Sequence, residues 1–204
     1  MTSRDEPFVS RGGRKLRAAL EAFELDVAGW VCADLGANVG GFTDCLLASG
    51  ASKVYAVDTG YGELAWRLRK DPRVVVMERT NALYVPAPEP VDLVAIDVAF
   101  TPQRLILPAA ARWLRPGGQV VSLLKPHYER AKLPGHPRAK PGRTPMSFSQ
   151  AGRICLEVCE ELAAMGMPAL AAIISPLRGK GGNVEFLALF TPRGGQGAEA
   201  QATY

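Results

Sequence analysis

The chain has 204 residues, 48% of them apolar and 22% charged, with a formal net charge of +4. That balance excludes wholesale disorder, and the length suits one domain with an adequate core. The longest uncharged run, residues 162–177, is broken by Gly166, Pro168 and Pro176 and is too short to span a bilayer; the polar start gives no sign of a signal peptide, so a cytoplasmic protein without a membrane partner is expected.

In chain order, Leu16, Ala19, Leu20 and Phe23 recur at helical spacing, which predicts an amphipathic helix over residues 13–23. VCADL from Val31 reads as a buried strand, GANVGG as a glycine turn, FTDCLLASG as a helix closed by Gly50, and SKVYAVD as a second, parallel strand. GELAWRLRK then reads as helix, VVVM and VDLVAID as strands, and PQRLILPAAARWL as a helix stopped by Pro116, Gly117 and Gly118. QVVSLLK is the next strand, residues 149–165 a helix, and ALAAIIS and NVEFLALF the last two strands. Only the short segment 176–182 joins those two, so they must pair antiparallel. Residues 1–192 are read as one domain and 193–204 as a disordered tail.

Alternating units of this kind give a mostly parallel sheet with helices on both faces, and ligands collect at the C-terminal strand ends. The stretch from Val31 to Asp58 is laid out for a nucleoside ligand. Its glycines are spaced too widely for a dinucleotide turn, and Asp34 just before the turn would repel a phosphate. A cationic ligand is accommodated instead. S-adenosyl-L-methionine carries a sulfonium and an amino group and no phosphate, so it suits an acid before the turn and a second acid, Asp58, at the next strand end. Asp34, Gly36, Ala37, Asn38, Gly40, Gly41 and Phe42 are assigned to the methionine end of this cofactor, Asp58 to its ribose and Asn81 to its adenine. A nicotinamide dehydrogenase fails on the glycine spacing.

Between residues 125 and 143, Lys125, Arg130, Lys132, Arg138, Lys140 and Arg143 stand against Glu129 alone. Prolines 126, 134, 137, 141 and 145 forbid a long helix there, leaving a basic loop suited to a polyanion such as RNA. Cys32, Cys45, Cys155 and Cys159 form no C-x-x-C pair, and with His127 and His136 they give no zinc spacing; they read as reduced, buried residues, and no metal is expected. Three ionisable groups stand at strand ends near the expected cleft, namely Asp97, Lys125 and Glu185, with Lys15 on the first helix as a fourth.

SRGGRKL, DLGANVGGFTDCLL, GASKVYAVDTGYGELAWRLRKDPRVVVMERTNA, AIDVAF, LLKPHYE and SPLRGKGGNVEFL resemble, in order, the motifs of the TlyA group of FtsJ-like RNA methyltransferases, from about residue 8 to residue 190. The resemblance implies a Rossmann-like class I methyltransferase fold, a mostly parallel seven-stranded α/β sheet closed by an antiparallel hairpin. It also implies ribose 2′-O-methylation of ribosomal RNA with S-adenosyl-L-methionine, through a tetrad carried by Lys15, Asp97, Lys125 and Glu185 as catalytic residues, Asp97 also lying against the cofactor. Members of the group usually begin with a small RNA-binding domain, whereas this sequence opens at the helix, so substrate docking is expected to differ. VAFTP replaces the usual serine-containing motif, and a proline-rich basic stretch comes after Lys125. The partner expected is ribosomal RNA or a ribosomal subunit, and a monomer is favoured. The alternatives are a methyltransferase acting on a small molecule and a non-catalytic, haemolysin-like cofactor-binding protein.

Overall fold

The computed structural model describes residues 7–130 and 145–192. Seven strands form one sheet in the order β3-β2-β1-β4-β5-β7-β6. They are β1 (Val31–Leu35), β2 (Lys53–Val57), β3 (Val74–Met77), β4 (Val91–Ile96), β5 (Leu114–Leu124), β6 (Ala169–Ile174) and β7 (Phe186–Phe190). β3, β2, β1, β4 and β5 run parallel, while β7 pairs antiparallel with both β5 and β6. The central strands β1 and β4 are apolar except for Asp34 and Asp92, because both faces are covered, as a parallel sheet requires. β4 is buried at all six positions.

Helices α1 (Gly12–Ala22) and α2 (Gly41–Ala48) cover one face, where Leu16, Leu20, Cys45 and Leu46 pack on Cys32, Leu93 and Leu187. Helices α4 (Gln103–Ala111) and α6 (Phe148–Ala164) cover the other, where Ile106, Leu107, Ile154 and Leu162 meet Val94, Ile96 and Phe190. α6 starts on a capping box: Ser147 accepts from the Gln150 amide while the Gln150 side chain accepts from the Ser147 amide. Two short helices, α3 (Trp66–Arg69) and α5 (Pro126–Glu129), complete the set.

Three expectations need correction. Of GELAWRLRK only α3 is helical, because the Ala65 amide donates to the Val39 carbonyl and Arg69 Nε to the Leu64 carbonyl, tying this stretch to the glycine turn instead. The helix before β5 ends at Ala111, well before Pro116. Trp113 is buried there, its carbonyl accepts from Val91, and β5 has already begun at Leu114; residues 116–118 fall where the β4–β5 register shifts. The basic segment opens with α5, which places Pro126 at a first-turn position where no amide is needed. Lys132, Arg138, Lys140 and Arg143, with His136, lie outside the described residues, as does the tail after Pro192.

The four cysteines are free thiols. Burial, with the charge of Asp92, pushes Cys32 up to about 12, and burial likewise holds Cys45 at about 11, so both are inert apolar fillers. Among the described residues no group of His, Cys, Asp and Glu side chains has the arrangement of a metal site, and no helix is long and apolar enough to cross a membrane.

Candidate active site

The sheet order reverses between β1 and β4, and the loops leaving those two strands meet at their C-terminal ends, the position where open α/β sheets bind ligands. The Asp97 amide donates to the Leu35 carbonyl. Gly36 has a φ of +92°, and a Cβ there would stand 2.8 Å from the Asp97 carbonyl oxygen, so only glycine fits the junction. A cleft opens here in two lobes of about 550 and 270 Å³ that share Gly36, Asn38, Asp97 and Ala99.

The larger lobe is lined by Asp34, Ala37, Gly41 and Phe42, together with Lys15 and Lys125. The smaller lobe is lined by Asp58 and Asn81 with Thr59, Val98, Phe100 and Thr101. Two predicted residues fall outside the walls. Gly40 caps α2 at φ +99°, and a side chain there would meet Leu64 and Leu68, so packing as well as backbone conformation requires glycine here. Glu185 is buried behind the wall, beneath Gly179.

Asp34 is fully buried at the end of β1. One carboxylate oxygen, Oδ2, accepts from both the amide and the hydroxyl of Thr43 at 2.8 and 2.7 Å, while Oδ1 has no partner among the described residues. Burial pushes its pKa up to about 7, against the pull of the Thr43 hydrogen bonds and with a further push from Asp97 and Asp58. An orphaned, buried carboxylate oxygen at a cleft wall fits a cationic ligand group and repels an anionic one. Asp58 accepts from the Asn38 amide through Oδ2 and from the Gly60 amide through Oδ1, at 2.8 and 2.7 Å, so it fixes the glycine turn while keeping lone pairs toward the smaller lobe. Asn81 Oδ1 accepts from the Leu83 amide, which holds the side chain at the lobe's edge.

Two ion pairs close the inner end of the larger lobe. Lys125 Nζ stands 2.5 Å from Asp97 Oδ1, and Lys15 Nζ stands 2.5 Å from Glu185 Oε2. The first pair arises from β4 and β5 being neighbours in the sheet: β4 ends at Ile96 opposite Ser122, and β5 runs two residues further, so Lys125 stands just above Asp97. The short helix α5 holds Lys125 in place from its C-terminal side. The Glu129 amide bonds back to the Lys125 carbonyl, the buried Glu129 carboxylate accepts from the Gln103 amide, and Gln103 Oε1 accepts from Ser122 within β5. The segment before α1 is anchored on α2 by the Val9 amide, which donates to Asp44 Oδ2; Arg67 pairs with the same carboxylate.

Sequence reasoning missed the residues that complete this region. His127, in α5, is half-buried with its Nδ1 unpartnered among the described residues; burial, then the charges of Lys125 and Lys15, hold its pKa below the usual histidine range. Ser10, Arg11, Arg178 and Gly179 also line the larger lobe. Their only signal was membership of the motifs around Lys15 and Glu185.

Residues 8–190 match the model of the FtsJ-like methyltransferase family. The chain belongs to that family. The 16S/23S rRNA (cytidine-2′-O)-methyltransferase TlyA of Mycobacterium tuberculosis is 42% identical over 190 residues, covering 91% of this chain and 69% of the relative. YqxC of Bacillus subtilis is 40% identical over 203 residues, covering 95% and 69%. A solved structure from Streptococcus thermophilus, described as that of a hemolysin, superposes with a TM-score of 0.82 at 37% identity, covering 94% of this chain and 69% of its own.

Proposed function

We propose that this FtsJ-like methyltransferase moves the methyl group of S-adenosyl-L-methionine to a ribose 2′-hydroxyl of ribosomal RNA. The observation that carries the reading is that the Lys15–Glu185 and Lys125–Asp97 pairs stand in a cleft whose wall also holds a buried carboxylate oxygen, Asp34 Oδ1, with no partner among the described residues. The relative named TlyA, which acts on 16S and 23S rRNA cytidines, supports the same substrate class.

S-adenosyl-L-methionine supplies, when bound, an electrophilic methyl on a sulfonium. Asp34 Oδ1 would take a cationic group of its methionine end, the backbone from Gly36 to Phe42 would line that end, and Asp58 and Asn81 would receive the ribose and adenine. A ribose hydroxyl is a poor nucleophile, so the remaining work is to orient it and to manage its proton. Lys125 acts at the 2′-oxygen, where its N–H groups stabilise the charge that develops as the proton leaves. The proton passes to the Lys125–Asp97 pair as a unit and from there to water. Asp97 orients Lys125, while Glu185, anchored behind the wall, orients Lys15 toward the same oxygen. Positioned acid–base groups of this kind contribute about 10²–10⁴-fold to a rate.

Ribosomal RNA incubated with methyl-tritiated cofactor and this protein should incorporate label at a nucleotide whose 3′ linkage then resists alkali, since a 2′-O-methyl group removes the nucleophile of alkaline cleavage. Label on a base, or none, would end this reading.

A further inference from the structure

We propose that Arg11 and Arg178 form a phosphate grip on the outer rim of the cleft, holding the phosphodiester on the 3′-oxygen of the ribose that is methylated. This rests on ribosomal RNA being the acceptor and adds to it a binding site for a specific anionic group. The two arginines come from opposite ends of the chain yet share one rim: Arg11 Nη2 donates to the Arg178 carbonyl at 3.1 Å, and both line the larger lobe beside Lys15 and Lys125.

Charge accounting within the cleft points to the ligand. Lys15 and Lys125, the two lysines that line the lobe, are each neutralised by a carboxylate. Arg11 and Arg178 differ. Among the described residues their hydrogen bonds run to main-chain carbonyls, Arg178 and Gly182 respectively, and no carboxylate offsets either guanidinium. Two exposed forks at the mouth of a cleft, neither paired with a carboxylate among the described residues, suit a phosphate, whose oxygens match guanidinium geometry.

Connectivity fixes which phosphate. The 2′-hydroxyl and the 3′-phosphate sit on adjacent ribose carbons, so placing the hydroxyl at Lys125 holds that phosphate within a few bonds of the lysine, beside the lobe that Arg11 and Arg178 also line. The rim is built before RNA arrives. The Gly179 amide donates to the Asn183 carbonyl, the Gly182 amide to the Gly179 carbonyl, and Asn183 Oδ1 accepts from Met146, which braces the Arg178 turn against the segment leading into α6.

The test combines Arg11→Gln, Arg178→Gln and their double variant with an accepting RNA in which that one phosphodiester is an uncharged methylphosphonate. Arg112→Gln, at the C-terminal end of α4 on the far end of the sheet, serves as control. Each rim variant should raise the RNA KM by roughly tenfold with kcat changed less than about threefold, and should lower the log–log salt slope of RNA binding by about one. S-adenosylhomocysteine affinity should stay at the wild-type value, which also reports an intact fold. The methylphosphonate should raise the wild-type KM by a similar factor and leave the double variant unaffected. Arginine-to-lysine variants should recover the salt slope but not the KM, since the fork is lost. Unchanged KM and slope in both rim variants, equal losses in Arg112→Gln, or weakened S-adenosylhomocysteine binding would each overturn the grip. A wild-type protein that transfers no methyl to RNA would instead overturn the RNA reading, and the grip with it.

Discussion

Lys15 Nζ meets Glu185 Oε2 at 2.5 Å although the two residues are 170 positions apart, and their side chains are only 11% and 4% exposed. Removing one partner leaves a charge buried without its counter-ion. Lys15→Met and Glu185→Leu should therefore each cost about 3 kcal/mol, while the double variant recovers most of that loss, as denaturant titration would measure. Gly179→Ala probes the same contact without removing a charge, because a Cβ there would land 2.0 Å from Glu185 Oε1. Methyl transfer should collapse in that variant while S-adenosylhomocysteine still binds.

Lys125→Ala should abolish transfer and leave cofactor affinity nearly intact, since Lys125 faces the acceptor oxygen in the proposed mechanism. Single-turnover assays paired with calorimetry would separate the two effects. A variant with full activity would remove Lys125 from the chemistry.

Asp58→Ala should weaken S-adenosyl-L-methionine binding by about 1–3 kcal/mol, the worth of a hydrogen-bonded carboxylate. Because Asp58 also accepts from the Asn38 and Gly60 amides, Asp58→Asn, which keeps one acceptor oxygen, should lie between wild type and alanine. Calorimetry giving identical affinities for all three would dismiss the ribose assignment.

Asp34 makes cofactor binding depend on pH. Its pKa rises from the usual 3.8 to about 7 in the cofactor-free fold, so between those values the folded protein holds a proton that the unfolded chain has lost. The resulting stabilisation is fully present below the lower value and fades as pH rises through the upper one. A cationic ligand favours the carboxylate, so affinity should increase from about pH 6 to about pH 8 with release of a proton. Calorimetry in buffers of different ionisation enthalpy counts that proton. Asp34→Asn should weaken binding and abolish the pH dependence; an unaltered pH profile in Asp34→Asn would refute the assignment.

The strands and the antiparallel pairing of the last two were legible because each apolar run is bounded by glycine, proline or a charge, and because the link between β6 and β7 is too short for a crossover. Asp97 and Lys125 were legible for the same reason, as charged ends of neighbouring strands. Lys15 was not, since a lysine on an amphipathic helix has the same local signal as a solvated one; the motif order supplied it. Gly40 also packs against Leu64 and Leu68, a contact that the sequence does not signal, because turn glycines that face a ligand and those that admit a neighbouring side chain read alike. Prolines concealed α5, whose single turn is stabilised by the buried contact between Glu129 and Gln103 rather than by propensity. The rim arginines had no sequence signal of their own, because their roles depend on a bond between Arg11 and the carbonyl of Arg178.

β7, the final strand in the sequence, is threaded between β5 and β6 instead of being added at the margin. During synthesis, β6 has no neighbour to join until β7 emerges, and the first helix keeps its lysine without a counter-charge until the same moment. A growing polypeptide can thus assemble the donor-holding half early, yet it becomes chemically competent only when the last stretch of sheet zips shut.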